Sequence, residues 1–399
     1  MKGSSKETTA PGLLGDDACW TYVLTDAKGN LDVQSFSVSN EELGVPVRFR
    51  VSKETLRGGK QTGSALIRIV TDQLTLVIVP TRGMSILEAF AGNVRLGWDS
   101  PVDEVVHPSF INLEARGGLG WLDGFNEFLV RCGAEWAGHP CEEDGRRFTL
   151  HGRMGNIPAS KVIVQIGKAA PHAIRVFGLI KEKTFKFSNL ETWTSATVVP
   201  GEKKFALHDR IHNCADYPKE IQYFYHTNYG APLLEAGAEF VAPVAEVSPF
   251  NDYAKAELDT WTMYRPATAD YDERCFNCTL NTDAQGKSLV ALVNKERTVA
   301  ASMYFPTDVF PFFTLWKNTD TVGQGYVTGL EPGTNPPYNR LIEKAQGRLR
   351  VLAPKSYFDY SVEIAVVDSA ADVRKLKDAI AAIQNGRQER RSEIPLGNE

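Results

Sequence analysis

The chain of 399 residues has no apolar run long enough to cross a bilayer, and its first residues, MKGSSKETTAPGLLG, lack the apolar centre of a secretory signal. Both absences point to a cytoplasmic protein with no membrane partner. There is no basic run interleaved with aromatics and the net charge is −5, which argues against nucleic acid as a partner. Cysteine is scarce. Cys19, Cys132, Cys141, Cys214, Cys275 and Cys278 are scattered along the chain and read as reduced thiols, not as a disulfide framework. The single CxxC, Cys275-Phe-Asn-Cys278, has no second CxxC and no paired histidines to complete a zinc site. Gly118-Leu-Gly120 and Gly323-Gln-Gly325 lack a third glycine at dinucleotide-binding spacing and a βαβ context, so a Rossmann site is excluded.

Helical periodicity is equally rare, and strand signals dominate. Ala65-Leu-Ile-Arg-Ile-Val70 and Leu74-Thr-Leu-Val-Ile-Val79 are β-branched runs separated by three turn-forming residues, the signature of a hairpin. Lys161–Ile166, Ile174–Ile180 and Leu190–Val198 follow in the same manner, with Gly, Pro and Asn turns between strands. The pattern predicts an all-β fold of antiparallel sheets packed face to face. Its one exception is a C-terminal helix capped by Ser369, with Val373, Leu376, Ile380 and Ile383 on one face. The expected organisation is a loose segment over 1–16, a β domain over 17–366, and a helix with a charged, fraying tail over 367–399.

Three stretches carry residue types suited to proton transfer. "FTLHGRMG" sets His151 and Arg153 in a Gly-containing bend after a short apolar run, and "IQYFYHTNYGAP" sets His226 on an aromatic strand with Asn228 close by. In "VTGLEPGTNPPY", Glu331 stands immediately before Pro332, which bars a helix there and holds the carboxylate on stiff, extended backbone. Histidine titrates near neutrality and a fixed carboxylate suits a general base.

Leu150-His151-Gly152, Tyr225-His226-Thr227-Asn228-Tyr229 after Pro218, and Gly329-Leu330-Glu331-Pro332 occur in that order. Together they resemble the motifs of the aldose 1-epimerase family, the galactose mutarotases, and their hexose-phosphate mutarotase relatives. The likeness runs from about Leu66 to about Val366. Pro80-Thr-Arg-Gly-Met-Ser-Ile86 and Gly117-Gly-Leu-Gly-Trp-Leu-Asp123 look like a separate branch of that superfamily. The resemblance implies a β-supersandwich with an open groove for a small carbohydrate and a cofactor-free reaction. In it Glu331 takes the proton of the anomeric hydroxyl, His226 protonates the ring oxygen, and His151 helps to polarise that oxygen. The stacking and aspartate positions with which galactose mutarotases grip their sugar are not matched, so the sugar stays open.

Arg82, Arg131 and Arg153 adjoin glycines or special loops, where a guanidinium can hold a carboxylate or phosphate in two-pronged fashion. If the segment around His151 is a strand, Arg153 shares its face. These arginines predict a positively charged groove and an acidic or phosphorylated sugar. Asn228, Trp121, Asp123, Trp316 and Lys317 complete the substrate-binding candidates. His208 and His212 flank Arg210 on the face of a strand opposite Phe205, Leu207, Asp209 and Ile211. An arginine amid the ligands argues against a metal there. Two other readings remain: a non-catalytic carbohydrate-binding protein on the same fold, and a metal-assisted keto-sugar isomerase or lyase.

Overall fold

The computed structural model describes residues 8–397. Its described residues form two large, almost wholly antiparallel sheets, one of ten strands and one of thirteen. The predicted hairpin is present as Ala65–Thr71 and Leu74–Val79, with Ile67 opposite Ile78 and Val70 opposite Thr75. In the ten-stranded sheet Lys161–Gly167, Ile174–Lys183, Asn189–Val198 and Lys204–Asn213 pair in sequence order, as their spacing predicts.

The sheets bury their facing sides against each other. Along Lys204–Asn213, Phe205, Leu207, Asp209 and Ile211 are buried in strict alternation with half-buried neighbours, the two-residue period of a sheet with one wet face. One apolar cluster joins Val164, Val176 and Leu207 of the first sheet to Ile67, Leu76 and Leu330 of the second. A buried charge cluster crosses the same interface. Asp209 accepts from Arg131 Nε at 2.7 Å, from the Tyr223 hydroxyl at 2.6 Å and from the Tyr225 hydroxyl at 2.8 Å. Those bonds satisfy a carboxylate that would otherwise be costly to bury.

The C-terminal helix spans Ala370–Gln384, and the Ser369 side chain accepts the Asp372 backbone N–H. Val373 and Ile380 pack on Ala291, Val293 and Ala300, covering the outer face of the ten-stranded sheet. Both chain ends are tied down within the described residues. Thr8 donates to Glu191 and its carbonyl accepts from Trp193 Nε1, while Ala10 packs against Phe177 and Leu179. Arg390–Arg391 runs parallel to Glu246 and Val247 at a sheet edge. Polar composition favours loose ends, but a few side-chain bonds and one buried alanine are enough to fix them. Residues 1–7 of the expected loose segment lie outside the described residues.

Candidate active site

Strand Phe224–Tyr229 lies between Val327–Gly333 and Leu129–Cys132 in the thirteen-stranded sheet. Its alternation sends Tyr225 inward to Asp209, so Phe224, His226 and Asn228 face the other way. On the neighbouring strand Glu331 stands opposite Thr314 and beside the register of His226, since Thr227 pairs with Leu330. The two meet: His226 Nε2 is 3.3 Å from Glu331 Oε1, and both side chains are buried.

His151 arrives from a turn, not from a strand. Its φ is +56° and that of Gly152 is +80°. A Cβ on Gly152 would stand 2.3 Å from the Trp136 carbonyl oxygen, so only glycine fits this close approach. The His151 ring lies edge-on to Trp121, with centroids 4.8 Å apart, and its centroid is 5.4 Å from that of His226.

These groups line a cavity of about 330 Å³ whose walls are mainly apolar and aromatic, with Trp121, Phe125 and Trp316 foremost. Phe125 and Trp316 lie 5.2 Å and 5.3 Å, centroid to centroid, from His226. Burial therefore governs the charge state of the site. It holds His226 down to about 3 and His151 well below the usual histidine value, with His226 itself opposing a charge on His151. Burial, and then the charge of Glu273, push Glu331 well above the usual carboxylate range. Glu331 Oε1 stands within ion-pair distance of His226 Nε2 but out of hydrogen-bond alignment with it. That oxygen, His226 Nδ1, His151 Nδ1 and Trp121 Nε1 are all buried without a hydrogen-bond partner among the described residues. Such orphaned groups are rare in a folded protein, and four on one cavity wall leave a set of donors and acceptors open to a polar guest.

The sequence motifs also point to residues that lie elsewhere. Arg82 is buried against Glu127, with Nε to Oε1 at 3.0 Å, and bonds the Gly124 carbonyl. Arg131 serves the Asp209 cluster. Lys317 donates to the Trp261 and Met263 carbonyls. Asp123 pairs with Arg116 at the surface, and Asn228 donates to the Glu127 carbonyl from beneath His226. Arg153 does not share a face with His151, because two successive positive-φ residues break the pleat between them. No arginine or lysine lines the cavity, so the positively charged groove anticipated from the motifs is not formed there.

The lining also includes His139 and Glu273, which no motif marks, and Cys275 of the CxxC. Glu273 accepts from Trp316 Nε1 at 2.7 Å and so fixes that indole. The only sequence hint to this side of the cavity is the CxxC that begins at Cys275. His208 and His212 belong to other contacts: His208 Nε2 faces Asp359 and the His212 ring lies tilted beside Tyr357. Among the described residues no group of three or more His, Cys, Asp or Glu is arranged around a metal position.

Residues 61–366 match the model of a family described as a domain of unknown function, DUF4432. The chain belongs to that family. A solved structure from Klebsiella pneumoniae subsp. pneumoniae MGH 78578, described as a "putative aldose 1-epimerase", is 46% identical. It aligns over 96% of this chain and 100% of its own, with a TM-score of 0.94. A galactose mutarotase-like protein from Clostridium acetobutylicum aligns over 81% of this chain and 99% of its own at 12% identity and a TM-score of 0.52. A galactose mutarotase related enzyme from Lactobacillus acidophilus aligns over 76% and 98% at 14% identity and a TM-score of 0.50. The two remote likenesses show the fold alone. The chain thus has the galactose mutarotase-like fold and falls in the aldose 1-epimerase-like superfamily, as its motifs suggest. No curated protein matches the chain.

Proposed function

We propose that the cavity is the active site of a sugar mutarotase that interconverts the anomers of a monosaccharide by general acid and base catalysis. The observation that carries this reading is the contact between His226 Nε2 and Glu331 Oε1 at 3.3 Å, buried and aromatic-walled, with unpartnered polar atoms around it. A volume of about 330 Å³ lies at the small end of ligand pockets, roughly 300–1,000 Å³, and suits a single sugar ring.

Ring opening needs one proton removed from the anomeric hydroxyl and one delivered to the ring oxygen as the bond from C1 to that oxygen breaks. With the pair as carboxylate and imidazolium, Glu331 takes the first proton and His226 gives the second. The pair is then a neutral acid and a neutral imidazole, the form that burial favours. After rotation about C1–C2 the open chain closes on its other face. Glu331 now returns a proton to the carbonyl oxygen and His226 accepts one from the ring hydroxyl. One shared proton serves both half-reactions, and the protein ends as it began. His151, kept neutral by its surroundings, would hydrogen-bond on the ring-oxygen side.

The lining, with two carboxylates, three histidines and no cationic side chain of fixed charge, supports an uncharged sugar better than a uronate or sugar phosphate. The test is anomer equilibration followed by NMR after pure anomers of common aldoses, uronic acids and sugar phosphates are dissolved with the protein. Acceleration of at least one is expected. Glu331→Gln should slow the accelerated reaction by about a hundredfold or more. Ligand-induced thermal shifts with no acceleration of any sugar would replace this reading with a binding protein.

A further inference from the structure

The turn that presents Leu150 and His151 to the first cavity presents Thr149 and Arg153 to a second one, of about 530 Å³. Its floor is Trp136, a buried indole whose Nε1 is already engaged by the Thr149 carbonyl at 2.8 Å. Two guanidinium groups lie near that ring: Cζ of Arg146 is 5.3 Å and Cζ of Arg153 is 5.2 Å from its centroid. They share a single carboxylate. Arg146 Nη2 is 2.9 Å from Glu135 Oε1, while Arg153 Nη2 reaches Glu135 Oε2 only at 3.5 Å. Arg153 otherwise bonds Ser188 Oγ at 2.9 Å and Thr184 Oγ1 at 3.4 Å, which leaves its fork loosely held.

Two buried donors on this wall have no partner among the described residues: Arg153 Nε and the hydroxyl of Thr149, a residue only 4% exposed. A threonine hydroxyl in that setting ordinarily finds a bond, and a guanidinium with a free Nε–H can offer a two-pronged edge to an oxyanion. The rim carries Glu114 and Asp144, both exposed, and Arg147, which pairs with Glu142. The positive charge of the cavity is thus carried by Arg146 and Arg153, both partly exposed and set against Glu135 and, at Arg153, the buried Glu182. Phe187 stands at the mouth, 53% exposed, next to Arg146.

We propose that this second cavity binds a small organic anion, a carboxylate or phosphate carried on a compact body, held between Arg146 and Arg153 over Trp136 with the Thr149 hydroxyl as a further donor. The site is separate from the cavity of His226 and Glu331, and the proposal does not depend on what that cavity does. Arginine is suited to the task because its planar fork matches the oxyanion and remains charged at any working pH.

Calorimetric titration of the full-length protein with inorganic phosphate, glucuronate and glucose tests the site. At least one of the two anions should saturate it, with affinity that weakens as salt rises, and glucose should give no salt-dependent binding. Binding of phosphate alone, or of glucuronate alone, would fix which oxyanion is recognised. Arg146→Gln and the near-isosteric Thr149→Val should each weaken anion binding by about tenfold. Thr149→Val retains the backbone carbonyl that holds Trp136, so it answers the question even if Arg146→Gln folds poorly. Absence of anion binding, or equal affinity in wild type and Thr149→Val with no salt dependence, would overturn the proposal.

Discussion

A Cβ placed on Gly329 would stand 2.3 Å from Glu331 Oε1 and 3.2 Å from the Cβ of Trp316. The two residues lie on the same face of one strand, two positions apart, and the absence of a side chain at the first makes the space that the carboxylate fills. Gly329→Ala should therefore push the Glu331 carboxylate off its line to His226. Because the clashing atom is the end of a flexible side chain, folding should suffer little. We expect turnover to fall by about tenfold or more with a nearly unchanged melting temperature. Unaltered turnover would show that the carboxylate position is not critical.

His226 and His151 occupy different places and should fail differently. His226→Asn removes the group in contact with Glu331 and should lower the turnover number. His151→Asn should in addition raise KM, because His151 lines the cavity without touching the carboxylate. Indistinguishable kinetics for the two variants would refute this division of roles.

The pH dependence follows from the directions of the two shifts. His226 gains a proton only near pH 3, and Glu331 loses its own well above the usual carboxylate value. Between those limits the pair holds one proton, so kcat/KM should be flat from above the acid limb near pH 3 up through the usual carboxylate range, falling only where Glu331 at last ionises. On the acid side a second proton removes the acceptor. On the alkaline side loss of the only proton removes the donor. An inflection near 6.5 in the measured profile would instead reveal a solvated histidine in control.

Arg131 and Asp209 form a buried pair whose loss should be felt in stability. Arg131→Met leaves Asp209 with two tyrosine hydroxyls and no countercharge, and should cost about 3–5 kcal/mol in denaturant unfolding. Arg131→Met combined with Asp209→Leu should recover part of that loss. A cost well below about 1 kcal/mol for the single change would mean that the pair does not hold the sheets together.

The sequence made the sheets readable because their signal is local. The hairpin Ala65–Val79 shows within one short stretch of chain, and the alternation from Phe205 to Ile211 reports which face is buried. For Glu331 the local signal reaches only the backbone, which Pro332 keeps extended. Its choice as a site residue rests on the resemblance of Gly329-Leu330-Glu331-Pro332 to a family motif, and its burial beside His226 is not written in that stretch. Arg82 and Arg131 were not legible. Their partners Glu127 and Asp209 lie 45 and 78 residues away, and nothing near either arginine reveals that its charge is already matched. Arg153 was misplaced because strand periodicity does not survive two consecutive left-handed residues. His139 and Glu273 reach the cavity from loops or strand edges, where position carries no period to read.

The indoles of Trp121 and Trp316 have consequences for measurement as well as for packing. Each lies within van der Waals range of a histidine ring and on the wall of the same small cavity. The proposed anomer exchange would leave an equilibrated solution unchanged in composition, so its substrate could be titrated without being consumed. Of the seven tryptophans these two line that cavity, so a ligand entering it should perturb their share of the intrinsic emission without any label.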